Sequence, residues 1–139
     1  MIDLAGCPCT GKNLARLVHP AILAVLAQES LHGYLILERL ADAAMFRDQP
    51  PDPAGVYRIL KTMEQEGLVT CAWDLQSSGP ARRQYTITSK GVACLHTWLE
   101  TLVNYRKSVD ILVKTVQSSL DIQKKLFNSI QIKSISPDK

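Results

Sequence analysis

The chain has 139 residues, 46% of them hydrophobic and 21% charged, enough for one globular domain with a real core. A net charge of only +3 excludes a polycation, so basic residues that serve an anionic partner must be gathered on one face. No apolar run approaches the roughly 18 residues of a membrane span, and no basic stretch followed by an apolar core marks a secretory signal; the expected address is the cytoplasm, where four cysteines stay reduced.

In chain order, residues 1–19 form an irregular arm containing "GCPCTGK", where Pro8 and two glycines oppose a helix. A helix is expected to open at Pro20 as its first residue, to carry Ile22, Leu23, Val25 and Leu26 inward, and to end near Glu29–Ser30. "LHGY" reads as a break at Gly33, followed by a second helix from Tyr34 to Met45 with Leu35, Ile36, Leu40 and Ala44 on its inner side. "RDQPPDPAG" is a loop. Asp52 then caps, and Pro53 starts, a third helix that runs to Glu66. Val56, Ile59, Leu60 and Met63 make its buried stripe, and Gly67 supplies the left-handed residue that ends it.

Leu68 to Trp73 and Arg83 to Thr88 alternate as strands around a turn at Gln76–Ala81, which describes a β-hairpin with Tyr85 and Ile87 on one face. Thr88 or Ser89 caps a last helix. Leu95, Trp98, Leu99, Leu102, Val103, Val109, Leu112, Val113, Val116 and Leu120 recur along it at three- and four-residue spacing, with a skipped beat and an expected break near "NYRK" (Asn104–Lys107). The final "KSISPDK" reads as a frayed tail.

The expected fold is therefore mostly α with a small β-hairpin wing: a winged helix-turn-helix over residues 20–93, a long C-terminal dimerisation helix over 94–133, and a tail over 134–139. In such a fold the third helix lies in the major groove of double-stranded DNA and the wing reaches the backbone or minor groove. The candidate DNA-contacting residues are Tyr34, Ala54, Gly55, Tyr57, Arg58, Lys61, Arg82, Arg83 and Gln84. Tyr34 has two readings, a phosphate contact or a core residue packed on the third helix, and Gly33 is read as answering a backbone requirement.

"ILAVLAQESLHGYLILERL", "GVYRILKTMEQEGLV" and "GPARRQYTITSKGVACL" resemble the PadR family of bacterial transcriptional regulators over roughly Pro20 to Val116. The combination of "HGY", the "YRxLKxMExxGLV" helix and the "RRxYxIT..G" wing exit is specific, although each alone is weak. The resemblance implies a homodimer built by C-terminal helices across a two-fold axis. It also implies repression through a roughly palindromic operator, often relieved by a small-molecule effector. The expected interface residues are Leu95, Trp98, Leu99, Leu102, Val109, Leu112, Val113 and Val116. Trp98 is also where a flat effector would stack, as in some members of the family. The N-terminal extension with "CPC" and the length of the C-terminal region depart from the common pattern.

Cys7 and Cys9, stiffened by Pro8, would hold a soft metal ion if a dimer brought two such pairs together. A single C-x-C is a weak signature against the alternative of a mobile arm. A metal- or thiol-responsive regulator sensing through Cys7 and Cys9 is thus one alternative function; a winged-helix protein-interaction module is another. Cys94 and His96 do not share a helix face, and Cys71 is read as packing. No Ser/His/Asp set, phosphate-cradling glycine loop or carboxylate pair supports an enzyme.

Overall fold

A computed structural model describes residues 16–75, 79 and 82–135, with side chains through 131. The turn residues 76–78, 80 and 81, and the arm with Cys7 and Cys9, lie outside the described residues. The elements are α1 (Val18–Gln28), β1 (Leu31–His32), α2 (Gly33–Asp42), a single 3-10 turn (Ala44–Phe46), α3 (Pro53–Gln65), β2 (Val69–Asp74), β3 (Arg82–Ile87) and α4 (Ser89–Ile135). The chain divides into two units, residues 1–98 and 99–139.

The first unit is a winged helix-turn-helix. Helix α1 begins two residues before the expected start, so Pro20 is its third residue. Proline is tolerated there because the first four amides of a helix have no intrahelical acceptor to lose. Helix α3 forms as its sequence dictates: Asp52 accepts from the Gly55 amide at 3.0 Å, Pro53 opens the first turn, and Gly67 takes φ +78° just past the end. Val56, Leu60 and Met63 are buried on one stripe, with Ile59 half-buried beside them.

Two expectations about α2 are corrected. The helix stops at Asp42, because Ala43 turns extended (ψ 134°). Ala44 is left exposed, and Phe46, 2% exposed, fills the core position intended for it. The break before α2 is also a strand: Leu31 and His32 pair antiparallel with Tyr85 and Gln84. The wing is therefore one side of a three-stranded sheet in the order β1-β3-β2, in which Val69–Asp74 faces Arg82–Ile87 in register.

Among the described residues the core comprises fourteen buried hydrophobic residues, from Val18 to Tyr85. Cys71, Ile87, Cys94, Leu95 and Trp98 pack half-buried against it, while His96 is exposed. The start of α4 is bolted to the end of α3. The Thr88 hydroxyl lies 2.6 Å from the Gly67 carbonyl oxygen and 3.0 Å from that of Leu68, donating between them. It accepts the Gly91 amide at 3.0 Å, and Lys90 donates to the Glu66 carbonyl at 2.7 Å. Gly91 is required by space: a Cβ there would lie 2.2 Å from the Leu68 carbonyl oxygen and 2.7 Å from Ile87 Cγ1.

The second unit is helical to Ile135, and α4 runs unbroken through Asn104–Lys107, where a break was expected. Tyr105 is helical and 57% exposed. The skipped beat in the apolar rhythm changes which face is apolar without supplying a proline or glycine that would interrupt the backbone.

Candidate nucleic-acid interface

Of the residues proposed from sequence for DNA contact, Tyr34, Tyr57, Lys61, Arg82 and Arg83 line two adjoining hollows of the first unit, whereas Gly55 and Arg58 line another and Ala54 and Gln84 line none of these. Helix α3 presents Ala54, Tyr57, Arg58 and Lys61 outward, with Gly55 partly covered at its first turn. Tyr57 is 43% exposed although aromatic, because its ring is held against the opening of α2. A Cβ on Gly33 would fall 2.6 Å from Tyr57 Cε1 and 2.9 Å from its hydroxyl. The requirement at Gly33 is therefore room for that ring rather than an unusual backbone angle, since the positive-φ glycines among the described residues are Gly67 and Gly79. Arg58 lies around the helix on the side facing His19, Ile59 and Thr62.

An open groove of about 540 Å³ separates α3 from the wing, lined by Tyr57, Lys61, Glu64, Gln65, Arg83 and Tyr85. It is continuous through Tyr57, Arg83 and Tyr85 with a second hollow of about 310 Å³ bounded also by His32, Gly33, Tyr34 and Arg82. The two wing arginines diverge because consecutive strand residues face opposite sides of a sheet. Arg83 leans toward α3 and meets Glu64 at 3.4 Å. Arg82 turns to the other side, donates to the Tyr34 hydroxyl at 2.7 Å, and sits 5.1 Å from the centre of the Tyr34 ring. Tyr34 itself is 43% exposed, which removes the reading of it as a core residue. Gln84, half-buried, occupies the central strand between His32 and Ala72.

Tyr85 anchors the floor of the groove. Burial pushes its phenol above the usual range, reinforced by Cys71 across the strand pair, so the ring enters the core neutral. Exposed ion pairs such as Arg83–Glu64 add little to stability, and their place at the groove matters more than their energy.

Sequence reasoning missed three polar residues here. Glu64 was read only as part of a helix, but one turn beyond Lys61 it faces the same groove. His32 and Asp74, joined at 3.0 Å, come from a strand that was not expected and from the end of one that was. The histidine in "HGY" was the available signal for the first.

The expected interface residues fall into two groups. Leu95 and Trp98 are partly used by the first unit's own core, and the Trp98 indole lies 6.0 Å from the His19 ring, tilted by 36°. Leu99, Val109, Leu112, Val113 and Val116 are 46% to 61% exposed, and Leu102 and Val103 are half-exposed. Among the described residues no three His, Cys, Asp or Glu side chains gather in metal-binding proximity, and none of the described helices is long and apolar enough to cross a membrane.

Several solved structures share this architecture. A candidate transcriptional regulator from Thermoplasma acidophilum matches at 28% identity and a TM-score of 0.60, over 74% of this chain and 96% of that one. A PadR-like transcriptional regulator from Bacillus cereus matches at 25% identity and 0.63, over 72% and 94%. PadR from Bacillus subtilis, solved in complex with operator DNA, shares the fold at 20% identity and 0.53, over 89% and 80%. No curated protein matches the chain. The family model for the transcriptional regulator PadR-like family covers residues 22–97, more than half of the 139 residues, from the interior of α1 through the wing to the packed start of α4. By that match the chain belongs to the PadR-like family of transcriptional regulators.

Proposed function

We propose that this chain is a homodimeric, sequence-specific DNA-binding regulator that represses from a roughly palindromic operator and is released by a small effector. The observation that carries the DNA reading is the groove between α3 and the wing. Its rim places Tyr57 and Lys61 opposite Arg83, and the adjoining hollow adds Tyr34 and Arg82. Cations on two rims suit the two walls of a DNA groove. Base choice then belongs to the outward side chains at the start of α3, and affinity to the lysine and arginines on phosphate.

Dimerisation through α4 supports specificity, because one winged helix spans only a few base pairs and two held a helical turn apart read a palindrome together. The unpartnered stripe of exposed Leu and Val side chains on α4 favours a second copy as its cover. The effector contact in this reading is Trp98, with a flat ligand stacked between the indoles of the two copies.

Titration against mixed-sequence duplex DNA at several salt concentrations tests the reading. Binding should weaken steeply with salt through counterion release. Replacing Arg82 and Arg83 together by alanine should flatten that slope by roughly one to two units and weaken all duplexes alike. On binding, Arg83 exchanges the Glu64 carboxylate for phosphate. A salt-independent interaction would point to a protein-binding module instead, and an unchanged slope in the double variant would remove the wing from the model.

A further inference from the structure

We propose that His32 is a positioning residue that, through Asp74, holds Tyr34 and Arg82 together as one donor pair for a backbone phosphate. The inference rests on the DNA-binding reading above and adds a residue to it. Four side chains from four elements form a connected run. His32 Nε2, on β1, lies 3.0 Å from Asp74 Oδ2, on β2. The two are not neighbours in the sheet: β3 runs between their strands, and the bond crosses over it, since His32 is registered with Gln84 and Asp74 with Arg82. The pair is largely shielded, at 15% and 20% side-chain exposure, so it keeps its geometry better than a surface ion pair would.

The His32 ring also stacks on Tyr34, with centroids 5.9 Å apart and planes within 6°. Tyr34 in turn accepts from Arg82 at 2.7 Å while Arg82 sits 5.1 Å from the centre of its ring. The direction of that bond decides the chemistry. A phenol has one hydrogen to donate, and an arginine can only donate. The Tyr34 oxygen is therefore the acceptor, and its own O–H has no acceptor among the described residues. Arg82 keeps further N–H groups beyond the one used. Two outward donors, one of them cationic, end side by side, and the chemical class that satisfies both is a phosphodiester oxygen pair.

What needs fixing is the His32 ring. β1 itself is held by two register partners in β3, by the burial of Leu31 and by the Ser30–Thr86 hydroxyl pair at 2.8 Å, none of which orients that ring. The strap from His32 to Asp74 sets it, and the stacked ring passes the setting to Tyr34. A merely structural histidine would influence stability; a positioning one influences how many phosphate contacts form.

The test uses the full chain and mixed-sequence duplex DNA. Tyr34→Phe should weaken binding about tenfold and, by releasing Arg82 from the phenol oxygen that aims it at the phosphate, lower the salt slope by up to roughly one unit. His32→Ala should reproduce both effects, and the double variant should be no weaker than either single one, because the two act as a unit. His32→Phe keeps the stack without the strap and should fall between. Thermal unfolding of each variant separates positioning from folding, and should His32→Ala unfold, His32→Phe and its combination with Tyr34→Phe complete the same comparison. A folded His32 variant with wild-type affinity and slope overturns the proposal, as does an additive double variant. A wild-type chain that binds no duplex overturns the DNA-binding reading itself, a result read before any variant is made.

Discussion

The two units of this chain bury apolar side chains in opposite ways. All fourteen buried hydrophobic residues among those described belong to the first unit, where three helices and a sheet cover one another's apolar faces. From Leu99 onward no described residue is buried, and leucines, valines, isoleucines and a phenylalanine on one helix stay 46% to 67% exposed. A helix of ordinary length gains most of its stability from tertiary packing of its apolar face. The difference therefore teaches that the first unit closes a core of its own, whereas the apolar stripe of the second stays uncovered within one chain.

The strongest way to break this contrast is Leu112→Glu with Val116→Glu. Both side chains are at least 47% exposed in one chain, so within a monomer the change costs little. At a dimer interface it buries unpaired carboxylates at about 3–5 kcal/mol or more. Light scattering should show a monomer, near-native circular dichroism should show the first unit intact, and selective binding should be lost while weak general binding remains. A variant that stays dimeric refutes the assignment.

The next largest effect attacks the first unit instead. Gly91→Ala drives a Cβ to 2.2 Å from the Leu68 carbonyl oxygen. Backbone there cannot step aside cheaply, so a loss of about 3 kcal/mol or more is expected, read as a lower thermal midpoint. A Gly91→Ala variant as stable as the parent would mean that the joint between α3 and α4 is not tight.

Gly33→Ala sharpens the comparison within the first unit, between fold and interface. Here the obstacle, 2.6 Å away, is the Tyr57 ring, the end of a flexible side chain. A modest destabilisation of about 1–3 kcal/mol should accompany a disproportionate loss of DNA affinity as Tyr57 is displaced, measured by unfolding and titration on the same sample. Asp52→Ala is the smallest change. It removes the 3.0 Å cap on the Gly55 amide, should cost about 1 kcal/mol, and should weaken DNA binding only as far as it frays the first turn of α3.

Local chemistry made much of the molecule legible in advance. The Asp-Pro start and glycine end of α3 each rest on one residue's own conformational limits, and the strands of the wing followed from alternation. The apolar stripe of α4 was equally plain, because an uncovered helix carries its whole pattern on its surface. The contacts that shape the interface were not legible. The strand at Leu31–His32 exists only because β3 lies beside it, and two residues carry no periodicity of their own. Phe46 replaced Ala44 in the core once Ala43 left the helix, a choice made by the space beneath α2. Gly33 looked like a backbone glycine until Tyr57, 24 positions later in the sequence, was seen to fill the room that a side chain would need.

The sequence by itself determined the order of the four helices and the wing hairpin, the two ends of α3 and which helix faces are apolar, since these depend on backbone stereochemistry and side-chain polarity within a few residues. Only the tertiary structure decided that Arg82 leans on Tyr34, that Arg83 answers Glu64, and that His32 reaches Asp74 across a strand. Those pairs are separated by 48, 19 and 42 positions. Their meeting depends on how strands register and where helices dock, distances that no local preference encodes.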